Sequence, residues 1–486
     1  MPKEKFPFVA LAFILCLAYW TYLFFATQIV IVWDADHYIS IAKIILNQGW
    51  ETFFKTGPQR EPGYPWLISV SLSLEKTTHL RFEDIQKILQ LFMLFLCQAG
   101  VMGILRSIKI REIVIALTIL YMGISPALLN ASLSLFSEIA TLPAIVAVIL
   151  ITSRYFAKIL SNRPPGFLQS TAFGLLLGLA FFALTAVKGT FELIGPLFLI
   201  CLLSPTIFIW RKLNKRSALQ AALFLIIAGF SLTSLTVAYK WKNFSSNGEY
   251  SFTNRGSYHF YGAALDRIQQ KTSQEWQLAL ALADIQGAEA FPSFTSAKSK
   301  STDALLLPGL ERIRQLQNNG LSKTAVAQQL YKEGAQRLLK DPGQYFVLTF
   351  LMSLRALFWE TFHMGFVAYP GWLQILCENS TLDIWISTLC CFLTVSALIF
   401  AGIWLLRSRR EKDQTLVLTK TIPIYSAFCL ITLCIETNAL GWIFKRMLVP
   451  AIPLFLILIA FLAENILQWI AKRRVKILRE QPGRIA

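Results

Sequence analysis

Charge is scarce in this 486-residue chain: Asp, Glu, Lys and Arg together make up 15%, against 55% hydrophobic residues. That balance is too apolar for a soluble protein of this size, and a bilayer is its natural solvent. Acids are scarcer than bases, 28 against 46, which leaves a formal charge of +18. An excess of this kind can signal nucleic-acid binding, but the bases sit in short clusters between apolar runs rather than on one soluble face. The eight cysteines lack the paired spacing of a zinc site. None falls in the polar segment 239–341, which excludes a disulfide framework there, and those in apolar runs read as small packing residues. No internal repeat is apparent, which argues against a transporter built from duplicated halves.

Apolar runs long enough to cross the bilayer, roughly 20 residues each, are what the chain has in abundance. The first, 6–31, follows Lys3 and Lys5, exceeds the apolar core of a secretory signal and has no small-residue cleavage site before Trp33, so it reads as a retained span. Further spans are expected at 85–105, 113–129, 135–151, 168–187, 191–209, 218–238, 384–406, 422–440 and 447–470, about ten crossings in all. The clusters Arg106/Lys109/Arg111, Arg154/Lys158/Arg163, Arg211/Lys212/Lys215/Arg216, Arg407/Arg409/Arg410/Lys412 and Lys472/Arg473/Arg474/Lys476 fall on alternate connections. They mark the cytoplasmic side, which places the connection 32–84 and the polar segment outside.

The run 345–362 has the length of a span but carries Arg355 and Glu360. Were it to cross, the arginine cluster after Leu406 would face outward, so it is expected to lie along the outer surface as an interfacial helix. A preceding helix is expected after Ser322, a plausible N-cap, with Val326, Leu330 and Leu338 on one face and Asp341-Pro342-Gly343 as its stop. Three parts follow: an N-terminal membrane module 1–238 containing the outer loop 32–84, an extracytoplasmic segment 239–343, and 344–486 with the interfacial helix and the last spans. The expected fold class is an all-α polytopic membrane protein.

Ionisable side chains are costly in hydrocarbon, so their depth is informative. Asp34 and Asp36 follow the first span, Glu138 opens the fourth, Lys188 closes the fifth and Glu192 opens the sixth. Glu436, Lys445 and Arg446 lie at the same outer level between the last two spans. Solvated helix ends would look alike one by one. Together, carboxylates beside cations at headgroup depth suit chemistry on an amphiphile whose phosphate lies at the surface.

The outer loop reads Trp33-Asp34-Ala35-Asp36-His37-Tyr38, then Ile41-Ala42, and later Arg60-Glu61-Pro62-Gly63-Tyr64-Pro65. Ser137-Glu138, Gly174 to Gly178, Leu184-Thr185 ahead of Lys188-Gly189, Asp341-Pro342 before Arg355, and Arg446 ahead of Pro450 and Pro453 follow in order. This combination resembles the GT-C glycosyltransferases. More narrowly it is similar to the bacterial protein-O-mannosyltransferase-like enzymes, the group that includes aminoarabinose transferases. Ala35 stands where many of those enzymes carry a second acid, and His37 where the aminoarabinose transferases carry an Arg. The resemblance implies a GT-C arrangement of spans and sugar transfer from a polyprenyl-phosphate carrier, with inversion and with Asp34 as the general base.

Such a transfer needs a base for the acceptor hydroxyl and cations for the leaving phosphate. Partial desolvation at a membrane edge would make Asp34 a better proton acceptor, although it also suits the cap of the helix that follows. Asp36 can orient the acceptor, bind a divalent metal (Mg or Mn) or be an ordinary helix-start acid. Arg60 can bind phosphate oxygens bidentately, and Lys188, Arg446 and His37 are further donor-phosphate candidates, with snorkelling anchors or solvation as the plainer roles. Glu138 and Glu192 are expected to hold these cations by ion pairing, so that neutralising either would abolish activity and spare folding. Tyr64 shapes the loop. Trp241, Tyr258, Tyr261 and Trp276 are candidates for stacking on sugar or for interfacial anchoring. The expected partners are a polyprenyl-phosphate-linked sugar, an extracytoplasmic acceptor (protein, glycolipid or polysaccharide) and the bilayer, with no nucleic acid; the expected site is the plasma (inner) membrane. A transporter or flippase of a lipid-linked or anionic solute is the rival reading, and it would place charges in the middle of spans, where there are almost none. An O-antigen ligase or polymerase would not predict the Asp-bearing loop directly after the first span.

Overall fold

The computed structural model describes residues 7–32, 34–57, 60–160, 165–212, 215–253, 256–257, 260–262, 264, 303–362, 366–408, 414–440 and 445–480. The first half runs through α1 (Phe8–Ala26), α2 (Asp34–Thr56), α3 (Gly63–Thr78), α4 (Phe82–Ser107), α5 (Glu112–Ile124), α6 (Pro126–Leu133) and α7 (Glu138–Ile159). It continues through α8 (Phe167–Val187), α9 (Phe191–Cys201), α10 (Leu203–Lys212) and α11 (Lys215–Asn247). The second half has α12 (Asp303–Asn318), α13 (Lys323–Lys340), α14 (Pro342–Arg355), α15 (Gly371–Glu378), α16 (Ser380–Ser408), α17 (Gln414–Leu440), a 3-10 turn (Lys445–Ala451) and α18 (Ile452–Glu480). The chain is an all-α, multi-pass membrane protein: among the described residues nine helices are long and apolar enough to cross a bilayer, or up to ten if the bent pair α5–α6 counts as one span.

The most enclosed spans are α18, with 72% of its apolar window buried, and α7, with 61%. Around them the other spans expose aliphatic and aromatic side chains, among them Leu15, Phe25, Phe230 and Phe392. In a bilayer such faces meet lipid, so exposure here is a property of the solvent rather than a packing fault.

Three boundaries differ from the sequence expectation. The expected third span is broken at Ser125-Pro126, where α5 and α6 meet at 49°. Proline removes a backbone donor and biases the residue before it away from helix, which explains the position of the break. The run 345–362 divides: α14 has 14 residues, about 21 Å of rise and short of a crossing, and from Leu357 to Phe362 the chain is no longer helical. The expected span 218–238 continues to Asn247 and stops at Gly248, whose φ of +80° suits glycine. Asn247 Nδ2 donates to the Phe54 carbonyl at 2.6 Å, and Tyr239 stacks on Phe252 at 4.1 Å, so the extra turns are anchored to α2 and to the chain that follows.

The connection between α1 and α4 is folded. Strand β1 (Gln28–Ile29) pairs antiparallel with β2 (Val367–Ala368), with Gln28 opposite Ala368 and Ile29 opposite Val367. Then α2 and α3 pack on each other. In the segment after α11, Ser322 caps α13 by accepting from Ala325 N at 3.3 Å, with Val326 and Leu330 buried. Asp341 begins the next helix by accepting from Gln344 N at 2.9 Å.

Candidate functional site

The loop after α3's predecessor brings Arg60 back over the start of α2. Its guanidinium forms an ion pair with Asp34, donates to Tyr38 Oη and to His37 Nδ1, both at 3.4 Å, and lies 4.8 Å from the centre of the Tyr38 ring. The Arg60 side chain is 5% exposed and that of Asp34 20%, so the base candidate is the more accessible partner. Burial acts to lower the pKa of Arg60, but the Tyr38 oxygen and the Asp34 carboxylate outweigh it and the net shift is upward, which keeps the group charged.

Tyr38 links this pair to a second one. Burial raises its hydroxyl above the usual phenol range, so it stays a neutral donor, and it donates to Ser137 Oγ at 3.2 Å. Ser137 Oγ in turn donates to Glu138 Oε2 at 3.4 Å, and Lys188 Nζ donates to Glu138 Oε1 at 2.5 Å. The side chains of Lys188 and Glu138 are 11% and 5% exposed, so the end of α8 is tied to the start of α7 by a buried ion pair. Thus Asp34, His37, Tyr38, Arg60, Ser137, Glu138 and Lys188, drawn from four places in the chain, form one continuous network.

Close backbone approach makes the network possible. A Cβ on Gly63 would lie 2.8 Å from the Ala186 carbonyl, so only glycine lets α3 begin against the end of α8. Next to it, Glu61 Oε1 accepts from Gly189 N at 2.9 Å. Glu61 belonged to the loop motif without standing among the candidate site residues; only the contact, which no spacing encodes, singles it out. Tyr64 is fully buried, donates to Gln90 Oε1 at 2.6 Å and meets the Tyr38 ring edge-on at 5.0 Å. Its place is structural support for Tyr38.

The remaining candidates separate from this group. Asp36 is exposed, and its backbone carbonyl accepts from Ser40. No group of three or more His, Cys, Asp or Glu that could hold a metal occurs among the described residues. Glu192 pairs with Lys240, whereas Lys188 pairs with Glu138. Arg446 belongs to the 3-10 turn Lys445–Ala451, and its side chain lies outside the described residues. Tyr258 and Trp276 also lie outside them. Tyr261 is buried with Leu316, Val326 and Leu330, which makes it core rather than a sugar platform, whereas Trp241 is exposed.

A second buried acid entered the sequence analysis only as a charge within the run 345–362. Glu360 is fully buried and sits under the α5–α6 break, where it accepts from Tyr121 Oη at 2.5 Å, Ser125 Oγ at 2.8 Å and Ala127 N at 2.9 Å. Its donors are hydroxyls and the backbone of a helix start, which suits a carboxylate that holds a bend in place.

The fold and the ionic network define an all-α membrane protein with a polar site at one end of its bundle. No family model matches the chain, and neither a curated protein nor a solved structure matches it.

Proposed function

We propose that this chain is a membrane glycosyltransferase that moves a sugar from a polyprenyl-phosphate donor to an extracytoplasmic acceptor, with inversion. The observation that carries this reading is the Asp34–Arg60 pair joined through Tyr38 and Ser137 to the Glu138–Lys188 pair. It puts an accessible carboxylate beside cations at the ends of apolar helices, where an amphiphile would present its phosphate. The ordered motifs that resemble those of GT-C enzymes point to the same chemistry.

In the proposed step the acceptor hydroxyl gives its proton to Asp34 as its oxygen bonds to the anomeric carbon. The bond from that carbon to the phosphate oxygen breaks, and the polyprenyl phosphate leaves with the electron pair. Arg60 orients Asp34, while Lys188 and Arg60 are the cations nearest the departing charge. Both are already paired with carboxylates, so the donor phosphate binds Lys188 by exchange with Glu138, which leaves Arg60 on Asp34, rather than by filling an open cationic pocket. Charge balance supports this: Asp34, Glu61 and Glu138 outnumber Arg60 and Lys188 among the described side chains of the network. The site belongs on the outer face of the plasma (inner) membrane, the side opposite the basic clusters.

The test is incubation of the purified protein with a panel of polyprenyl-phosphate sugars, wild type beside Asp34→Asn. Consumption of one donor by the wild type alone is the expected result. Equal turnover by the variant removes Asp34 as the base, and no turnover of any donor, combined with uptake of a labelled lipid-linked solute into vesicles, moves the protein to the transporter class.

A further inference from the structure

Between α6 and α15 lies a partly open cavity of about 160 Å³, lined by Asn130, Val367, Tyr369, Gln374, Cys377 and Glu378. Asn130 is 1% exposed, and its amide nitrogen donates to Tyr369 Oη at 3.3 Å, while Oδ1 has no partner among the described residues. Turning the amide over only exchanges which end is bonded to Tyr369. Either way one end of this buried amide lacks a partner, and such groups are normally satisfied.

The chemistry of the lining narrows what can satisfy it. Among the lining residues Glu378 is the charged one, and it accepts from Gln374 Nε2 at 2.6 Å. A wall with a carboxylate and without a cation disfavours phosphate. Amides, a phenol and a carboxylate match hydroxyl groups, which donate and accept at once and so suit either orientation of Asn130. The volume is below the roughly 300–1,000 Å³ of a drug-sized site, a size for one ring rather than an extended ligand.

The cavity shares no lining residue with the ionic network but adjoins elements that lead to it. Val367 pairs with Ile29 on the strand that leads to Asp34, and the Phe366 ring meets Phe136 edge-on at 5.2 Å, next to Ser137. We infer that this cavity binds one ring of a hydroxyl-rich glycan, the acceptor end of the proposed transfer, so that the acceptor is a glycan or glycolipid rather than a protein side chain. The acceptor role rests on the transferase reading; the binding does not.

Cys377 in the wall supplies a readout independent of activity. Burial and the neighbouring Glu378 push its thiol up to about 11, so alkylation is slow enough to time. The full chain in lipid nanodiscs is treated with N-ethylmaleimide, and Cys377 modification is followed by peptide mass spectrometry. Methyl α-mannopyranoside and methyl β-N-acetylglucosaminide are the probes, with inorganic phosphate and a Ser/Thr-containing peptide for comparison. The expected result is a saturable, severalfold slowing at Cys377 by a glycoside, with Cys201 unaffected as an internal reference. Asn130→Leu and Glu378→Leu each raise the half-protecting concentration about tenfold, the loss of one good hydrogen bond. Glu378 is exposed, so its variant keeps the test valid if the Asn130 variant does not fold. No slowing by either glycoside, undiminished protection in the folded variants, or protection by phosphate or peptide alone overturns the inference. Protection that persists in Asp34→Asn while the wild type transfers no sugar leaves the cavity standing and removes the transferase.

Discussion

Two regions of this molecule take acids out of water in opposite ways. At the start of α2 and α7, Asp34 and Glu138 face Arg60 and Lys188, whereas under the α5–α6 break Glu360 is held by hydroxyls and a backbone amide. Ion pairs offer partners that a charged ligand can displace, and neutral donors offer a fixed shape. The first arrangement suits a place where charge arrives and leaves; the second suits a joint. The difference is testable because charge should matter at 34 and shape at 360.

The largest effect is expected at Asp34. Asp34→Asn keeps the volume and loses the proton acceptor, so sugar transfer falls about 10²–10⁴-fold, the usual range for general-base catalysis. Arg60 is nearly enclosed and loses its charged partner, so thermal unfolding in detergent is expected to move down as well, and transfer is compared per folded molecule. Transfer within threefold of wild type would show that the loop pair is as structural as Glu360.

Next in size is the Glu138–Lys188 pair. Sequence reasoning expected neutralisation of Glu138 to spare folding, but both side chains are nearly enclosed, and removing one partner strands a buried charge. Lys188→Met should therefore cost about 3–5 kcal/mol of stability, and a Lys188→Met/Glu138→Leu double variant should recover most of it. Denaturation monitored by Trp fluorescence reads both. If the double variant is no more stable than the single one, the pair is not the origin of the cost.

At Glu360 the comparison turns on one atom. Glu360→Gln keeps an oxygen for Ala127 N and an amide that can donate to the Ser125 and Tyr121 hydroxyls, so a change under about 1 kcal/mol is expected. Glu360→Ala leaves these donors buried without an acceptor, a cost of about 2–3 kcal/mol. A Gln variant as unstable as the Ala variant would mean that the charge itself is needed at the bend.

How far these regions could be read in advance follows from their physics. Apolar length and basic clusters encode spans directly, so the order of crossings was legible from the sequence, down to the Ser322 cap on α13. The bend at Ser125-Pro126 was written in its proline, yet its meaning came from Glu360, more than two hundred residues away. Asp34, Arg60 and Lys188 stood out because charge near a membrane is rare. Their pairing did not, since it depends on the close backbone approach that Gly63 permits and on the packing of α8 against α3. Asn130 gave no signal at all: a buried amide with an unsatisfied end looks, in sequence, like any other asparagine.

The smallest effect is expected where an ion pair lies in water. Arg312 and Glu333 join α12 to α13 with side chains 33% and 18% exposed, which makes this pair the solvated counterpart of Glu138–Lys188. The hydrogen bond from Arg312 holds the Glu333 carboxyl below its usual range, opposed in part by burial. A carboxylate with a depressed folded value adds stability above the unfolded value, near 4.3, and loses it as the pH falls through the folded one. Amide exchange in residues 323–340 should thus be unchanged between pH 8 and about pH 5 and accelerate modestly below about pH 4, after correction for intrinsic rates. Salt should weaken this contribution and leave the Lys188→Met penalty nearly intact, because screening reaches an exposed pair and not an enclosed one. Equal salt sensitivity at both sites would show that water enters the Glu138–Lys188 pair and that its buried character, on which the second prediction depends, is wrong.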